Sequence, residues 1–362
     1  MSGVGMDKQR KLGLSAGSVA IMYLGTIMGA GFASGREAWQ YFGLFGNNAV
    51  YGIAIATFLF VAVGFMTCYL AITLNTAEMG KIILPFENRW LSEALGYLVA
   101  VFIYTALVSM SAAGGALLYQ QFGISKIIGG LLVVGLTIAT VLGDFQRVSK
   151  VFRVVTPILF TIDVLLCIAV ILTYDNLTDI PAEAKPTPMA ATWGLAAFVY
   201  VAYNVMGTIP IMAHSAIEAK NRKSALVGAA LGGVFIGALG LLLVIALQMD
   251  GQLSHILELP MLGFASKLGK FAGILFTLVL FFAMYSAATS TYYGFCTKLK
   301  MNDKWKYKVI IFALIGFALG MFGFKNIVAY VYPVEGYFGL VIIGLITINF
   351  VRSLLGKREV RK

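Results

Sequence analysis

The sequence predicts an all-helical, multi-pass membrane protein, and three observations predict it. The 362 residues are 60% hydrophobic and 12% charged, with a mean hydropathy of +0.88, outside the range of soluble domains. Apolar runs of spanning length lie at about 14–42, 49–74, 92–120, 124–143, 154–174, 189–217, 224–248, 270–297, 307–323 and 326–351, which makes ten helices. The basic residues alternate between the connections. Of the 27 Lys and Arg, 21 fall in one alternating set, from Lys8, Arg10 and Lys11 to the tail at 353–362. The other set holds Lys126, Lys185, Lys267, Lys270 and Lys325, and Arg36 lies inside the first run. The positive-inside rule then puts both termini in the cytoplasm. The net charge of +11 is thus a topology signal, not a nucleic-acid footprint. No cleavable signal peptide is expected, because the first run is far longer than a signal core. Cys68, Cys167 and Cys296 show no paired spacing and read as small packing residues.

In chain order, the first run carries Gly25, Gly29, Gly31 and Gly35 within eleven positions, followed by Arg36 and Glu37. Each glycine costs a helix about 1 kcal/mol against Ala, and loosened backbone is tolerated in a membrane only where protein or a polar cavity surrounds it. A binding site at the midplane accounts for this stretch; so does close helix packing through Gly25 and Gly29. The connections are short except at 175–188, which is Pro-rich, and at about 249–269. The first of these links two five-helix halves, 1–174 and 189–352. Five helices per half make the halves enter the membrane from opposite sides, an inverted repeat. The sixth run should then be broken like the first, and it contains Gly207 and Pro210. A simple proline kink also fits this stretch. Matched interruptions in the two halves point to a transporter binding site.

This plan, with runs one and six broken, resembles the LeuT-fold transporters of the amino acid–polyamine–organocation superfamily. The stretch Gly29-Ala30-Gly31-Phe32-Ala33-Ser34-Gly35-Arg36-Glu37 is similar, more narrowly, to the YkvI-type bacterial membrane proteins. The resemblance implies a bacterial cytoplasmic membrane protein in which a bundle of helices one, two, six and seven rocks against three, four, eight and nine. It also implies a sodium ion held by the carbonyls of Gly25, Met28 and Ser286 and the hydroxyls of Thr289 and Ser290. Those hydroxyls could instead bond their own backbone. The resemblance further implies an outer gate between Arg36 and Glu335, with Glu37 as an alternative partner.

Asp163 stands mid-run with no charged neighbour in sequence. An intramembrane carboxylate is a functional hypothesis by default. It is about ten residues, roughly 15 Å, into the membrane, a depth compatible with Ser290. It could assist sodium, carry a proton, or serve as a hydrogen-bonded structural residue. For substrate, the amides around Ala30, Gly31 and Phe32 suit a carboxylate. Thr26, Gly29, Tyr104, Ser109, Tyr203, Met206, Gly207 and Tyr285 are candidate lining residues. The break holds no acid of its own, which favours a zwitterionic amino acid.

His214 and His255 are too scattered for a metal site. No phosphate-binding glycine loop appears, and no nucleophile–base arrangement suggests an enzyme. The sequence therefore predicts a secondary transporter, coupled to sodium or to protons, for an amino acid or related small solute, with the lipid bilayer and the solute as its partners. It calls for no organic cofactor, nucleic acid or obligate protein partner. A membrane nutrient sensor that binds without transporting is the alternative.

Overall fold

A computed structural model describes residues 13–86, 88–143, 145–299 and 301–356, the side chains at 89 and 145–156 excepted. Lys8, Arg10, Lys11, Lys300 and residues 357–362 of the basic tail lie outside this range. Apart from an isolated bridge between Leu14 and Ala219, regular structure among the described residues is helical.

The first apolar run forms three short helices, α1 (Ala16–Ile27), α2 (Ala30–Ala33) and α3 (Arg36–Tyr41). After a 3-10 turn at Gly43–Asn48 come α4 (Ala49–Thr73), α5 (Met79–Ile83), α6 (Arg89–Phe122), α7 (Lys126–Leu142) and α8 (Phe145–Thr173). The second half holds α9 (Trp193–Ile217), α10 (Arg222–Gln248), α11 (Gly251–Ile256), α12 (Pro260–Leu268) and α13 (Lys270–Cys296). It ends with α14 (Trp305–Gly320), α15 (Phe324–Asn326), a π-helical turn at Ile327–Val331 and α16 (Tyr332–Leu354). Every apolar run is therefore helical. Among the described residues, six helices are long and apolar enough to cross a membrane: 43–73, 90–122, 193–217, 222–248, 270–296 and 324–354.

Local chemistry sets the ends. Ser15, Asn88, Thr192 and Asn221 cap the starts of α1, α6, α9 and α10 by accepting a backbone N–H, which satisfies donors that the first turn orphans. Gly123 ends α6 at φ +69°, a conformation only glycine takes cheaply.

The helices pack in two groups, α1, α4, α9 and α10 in one and α6, α7, α13 and α14 in the other. Helix α16 lies on α9 and α4, and α8 on α13 and α10. Lipid is as apolar as leucine, so helices associate through close fit. An added Cβ at Gly228 of α10 would stand 2.6 Å from Val19 of α1, and one at Gly233 2.7 Å from the Val61 backbone of α4.

Three features depart from the sequence reading. The sixth run is not broken: α9 continues through Gly207 and Pro210. Proline removes only its own N–H, and in lipid the remaining backbone bonds are worth keeping. The hydroxyl of Thr208 adds a bond to the Asn204 carbonyl (2.7 Å) just before it. The stretch 249–269 is not an open loop, because α11 and α12 occupy most of it. The tenth run changes winding before α16, where Pro333 in the first turn has no N–H to donate backwards.

Candidate functional site

The site begins where α1 stops. Met28 N donates to Leu24 O (3.0 Å), but Gly29 N reaches only Ile27 O (2.6 Å). The carbonyls of Gly25 and Thr26 thus lose their usual acceptor role in the helix. Gly29 is extended at φ −83°, ψ 179°, and a Cβ there would meet nothing within 4 Å, so close packing does not explain this glycine. Gly31 has a different reason. An added Cβ would fall on the Glu37 side chain, which folds back over α2. Gly35, at φ +77°, makes that return possible by turning the chain between α2 and α3.

Glu37 is 5% exposed and accepts a hydrogen bond from the Tyr203 hydroxyl of α9. Glu335 of α16 is 6% exposed and accepts one from Thr105 of α6. The two carboxylates lie within each other's electrostatic reach. Between them, Ser109 of α6 bonds the Tyr332 hydroxyl, and the Tyr332 ring stacks on Tyr203 with centroids 4.8 Å apart. Tyr41 and Tyr200 pack on Tyr203 at 5.9 and 5.6 Å. Side chains from α3, α6, α9 and α16 thus meet in one polar cluster across the two helix groups. Thr105, Tyr41, Tyr200 and Tyr332 were missed in the sequence. Glu37 was visible there as an intramembrane acid, and its reach back to the break corrects the view that the break holds none.

The expected pair of Arg36 and Glu335 does not form, nor does Arg36 pair with Glu37. Arg36 is fully buried, and its Nη1 donates to the carbonyls of Leu257 (3.0 Å), Ser254 (3.4 Å) and His255 (3.5 Å). The left-handed turn at Gly35 sends it to the negative C-terminal end of α11. That end is a cap held from several sides. Glu258 pairs with Lys126 and accepts from Phe324 N (3.0 Å), Lys325 Nζ donates to His255 O (2.8 Å), and Gln120 Nε2 donates to Leu259 O (2.9 Å). Replacing Glu258 with Gln should speed hydrogen exchange of residues 251–268 at least tenfold, because one carboxylate ties α7 and α15 to the cap. Loss of hydration, then the cations Lys325 and Arg36, hold His255 below its ordinary pKa of 6.5, with Glu183 opposing. The fold therefore favours neutral His255. Its contribution is complete above pH 6.5 and is lost as pH falls through the lowered value. Exchange of 251–256, corrected for intrinsic rates, should accelerate over that interval.

Other candidates lie elsewhere. Asp163 is fully buried, and neither carboxylate oxygen has a hydrogen-bond partner among the described residues. Its helix α8 packs on α13, which carries Ser286, Thr289 and Ser290. Thr289 is buried 3.5 Å from the Thr137 hydroxyl, while Ser286 is half-buried and Ser290 exposed. Thr26 bonds the Tyr23 carbonyl (2.7 Å) and Thr208 (3.3 Å); Met206 is buried and Gly207 exposed. Ala30 and Phe32 are buried in α2. Two proposed lining residues point away from the cluster. Tyr104 donates to Phe312 O of α14 (2.8 Å), and Tyr285 bonds Thr140 of α7, because each ring packs within its own helix group.

The uncharacterised membrane protein YkvI of Bacillus subtilis is 24% identical over 337 residues, 91% of this chain and 94% of that one. The chain thus resembles a bacterial membrane protein along nearly the whole length of both. YyaD of the same organism, also uncharacterised, is 22% identical over 324 residues, 88% of this chain and 92% of that one. No family model matches. Among solved structures, two mutants of the Eremococcus coleocola manganese transporter superpose with a TM-score of 0.53 at 14% identity, covering 96% of this chain and 79% of theirs. At that identity the likeness carries the fold alone.

Proposed function

We propose that the protein is a secondary transporter that couples a sodium ion to movement of an amino acid or related small organic solute. The observation that carries this reading is the break at Met28–Gly29, which frees backbone beside a buried polar cluster shared by two separately packed helix groups. Irregular backbone at membrane depth is tolerated where it serves such a site. The ten apolar runs support ten crossings in two halves of five, 1–174 and 189–352. Group α1, α4, α9, α10 then rocks against α6, α7, α13, α14. Both termini are cytoplasmic by the basic-residue bias. The cap of α11 and α12 then closes the outer side.

In this reading, sodium is held by the carbonyls of Gly25, Met28 and Ser286, by Thr289 and Ser290, and by Asp163. A proton on Asp163 is the alternative coupling ion. Manganese, named for the solved neighbours, is less suited to this chain. Among the described residues no three of His, Cys, Asp and Glu gather in one place.

The test is uptake by proteoliposomes under an imposed sodium gradient, across a panel of amino acids and amines. Uptake that follows the gradient supports the reading, and a pH gradient acting instead moves the coupling to protons. Binding without uptake makes the protein a sensor.

A further inference from the structure

We infer that the solute is an organic ammonium ion without a carboxylate, an amine rather than an amino acid, seated between Glu37 and Glu335. This rests on the solute-binding reading above and narrows its substrate class.

Two carboxylates arrive from α3 and α16, both buried, and among the described residues neither makes an ion pair. Arg36, the neighbouring cation in sequence, turns instead to the cap, where its Nη1 donates to three carbonyls while its Nε and Nη2 have no hydrogen-bond partner among the described residues. Buried carboxyl groups of this kind hold a proton or take a positive partner, and an arriving ammonium ion would be such a partner.

A second observation says what kind. The Tyr200 hydroxyl is buried with no hydrogen-bond partner among the described residues, and it lies within electrostatic reach of Glu37. Its ring packs on Tyr41 and Tyr203, and Tyr203 stacks in turn on Tyr332. Four tyrosines, Tyr41, Tyr200, Tyr203 and Tyr332, thus cluster beside Glu37, and aromatic rings attract organic cations. A hard metal ion wants more oxygen ligands than two separate carboxylates supply.

The start of α2 argues against a carboxylate on the solute. The Glu37 side chain already lies over Gly31, where the solute's carboxylate would have been held. An amino acid seated there would bring like charge against Glu37.

The test uses the full-length purified protein and pairs of compounds that differ by one carboxylate: ethanolamine and serine, isobutylamine and valine, phenethylamine and phenylalanine. Choline and manganese chloride complete the set, and binding is read by calorimetry. The expected result is at least one amine binding ten or more times tighter than its amino acid, weakened at least tenfold by Glu37→Gln and by Glu335→Gln. The paired comparison uses the unaltered chain, so a poorly folding variant does not spoil it. Amino acids binding as tightly as their amines, no amine or choline binding, or manganese displacing the amine overturns the inference. Flux separates the two readings. Amine binding without uptake leaves the inference standing and sinks transport, whereas amino-acid uptake does the reverse.

Discussion

Asp163→Asn is expected to abolish stabilisation of the protein by sodium while leaving its sodium-free thermal midpoint unchanged or higher. The carboxylate is fully buried, and both oxygens lack a hydrogen-bond partner among the described residues. An uncompensated buried charge is destabilising, so a neutral side chain of the same shape removes a cost. The same substitution removes the only formal charge proposed for the ion site. A ligand present at a hundred times its dissociation constant stabilises the unaltered protein by about 2.7 kcal/mol. That gain should vanish in the variant when melting in sodium chloride is compared with melting in potassium chloride. A full sodium shift in the variant would place the ion elsewhere.

The second large effect is structural. Gly339→Val should destabilise the protein by about 3 kcal/mol or more, or prevent recovery of a monodisperse species. An added Cβ would lie 2.5 Å from the Ala202 carbonyl carbon of α9, which is backbone and cannot rotate aside. Gly344→Ala on the same helix, where a Cβ meets nothing within 4 Å, is the matched control and should be nearly silent. Folded yield and thermal midpoint in detergent decide it.

Much of the architecture was legible because membrane helices announce themselves by composition. The run at 92–120 became α6 over 89–122, and that at 224–248 became α10 over 222–248. The interruption at Gly29 was legible for the same reason, since glycine is costly in a regular helix. Pro210 was misleading because a proline identifies a missing donor, not a broken helix. The pairing of Arg36 with Glu335 failed on a matter of direction. A left-handed residue at Gly35 rotates everything after it, and no spacing rule reports that rotation. Thr105, Tyr200 and Tyr332 were hidden because a hydroxyl on an apolar helix looks the same whether it faces a cluster or lipid.

Arg36 and Glu37 are neighbours on a helix of six residues. Successive side chains on a helix diverge by about 100°, so one enters the cap and the other the cluster. A helix so short can turn as one piece about the left-handed residue Gly35. A turn that drew Glu37 toward an arriving cation would also pull Arg36 against the three carbonyls of the cap. The six residues of α3 would in that case tie occupancy of the cluster to the position of the cap.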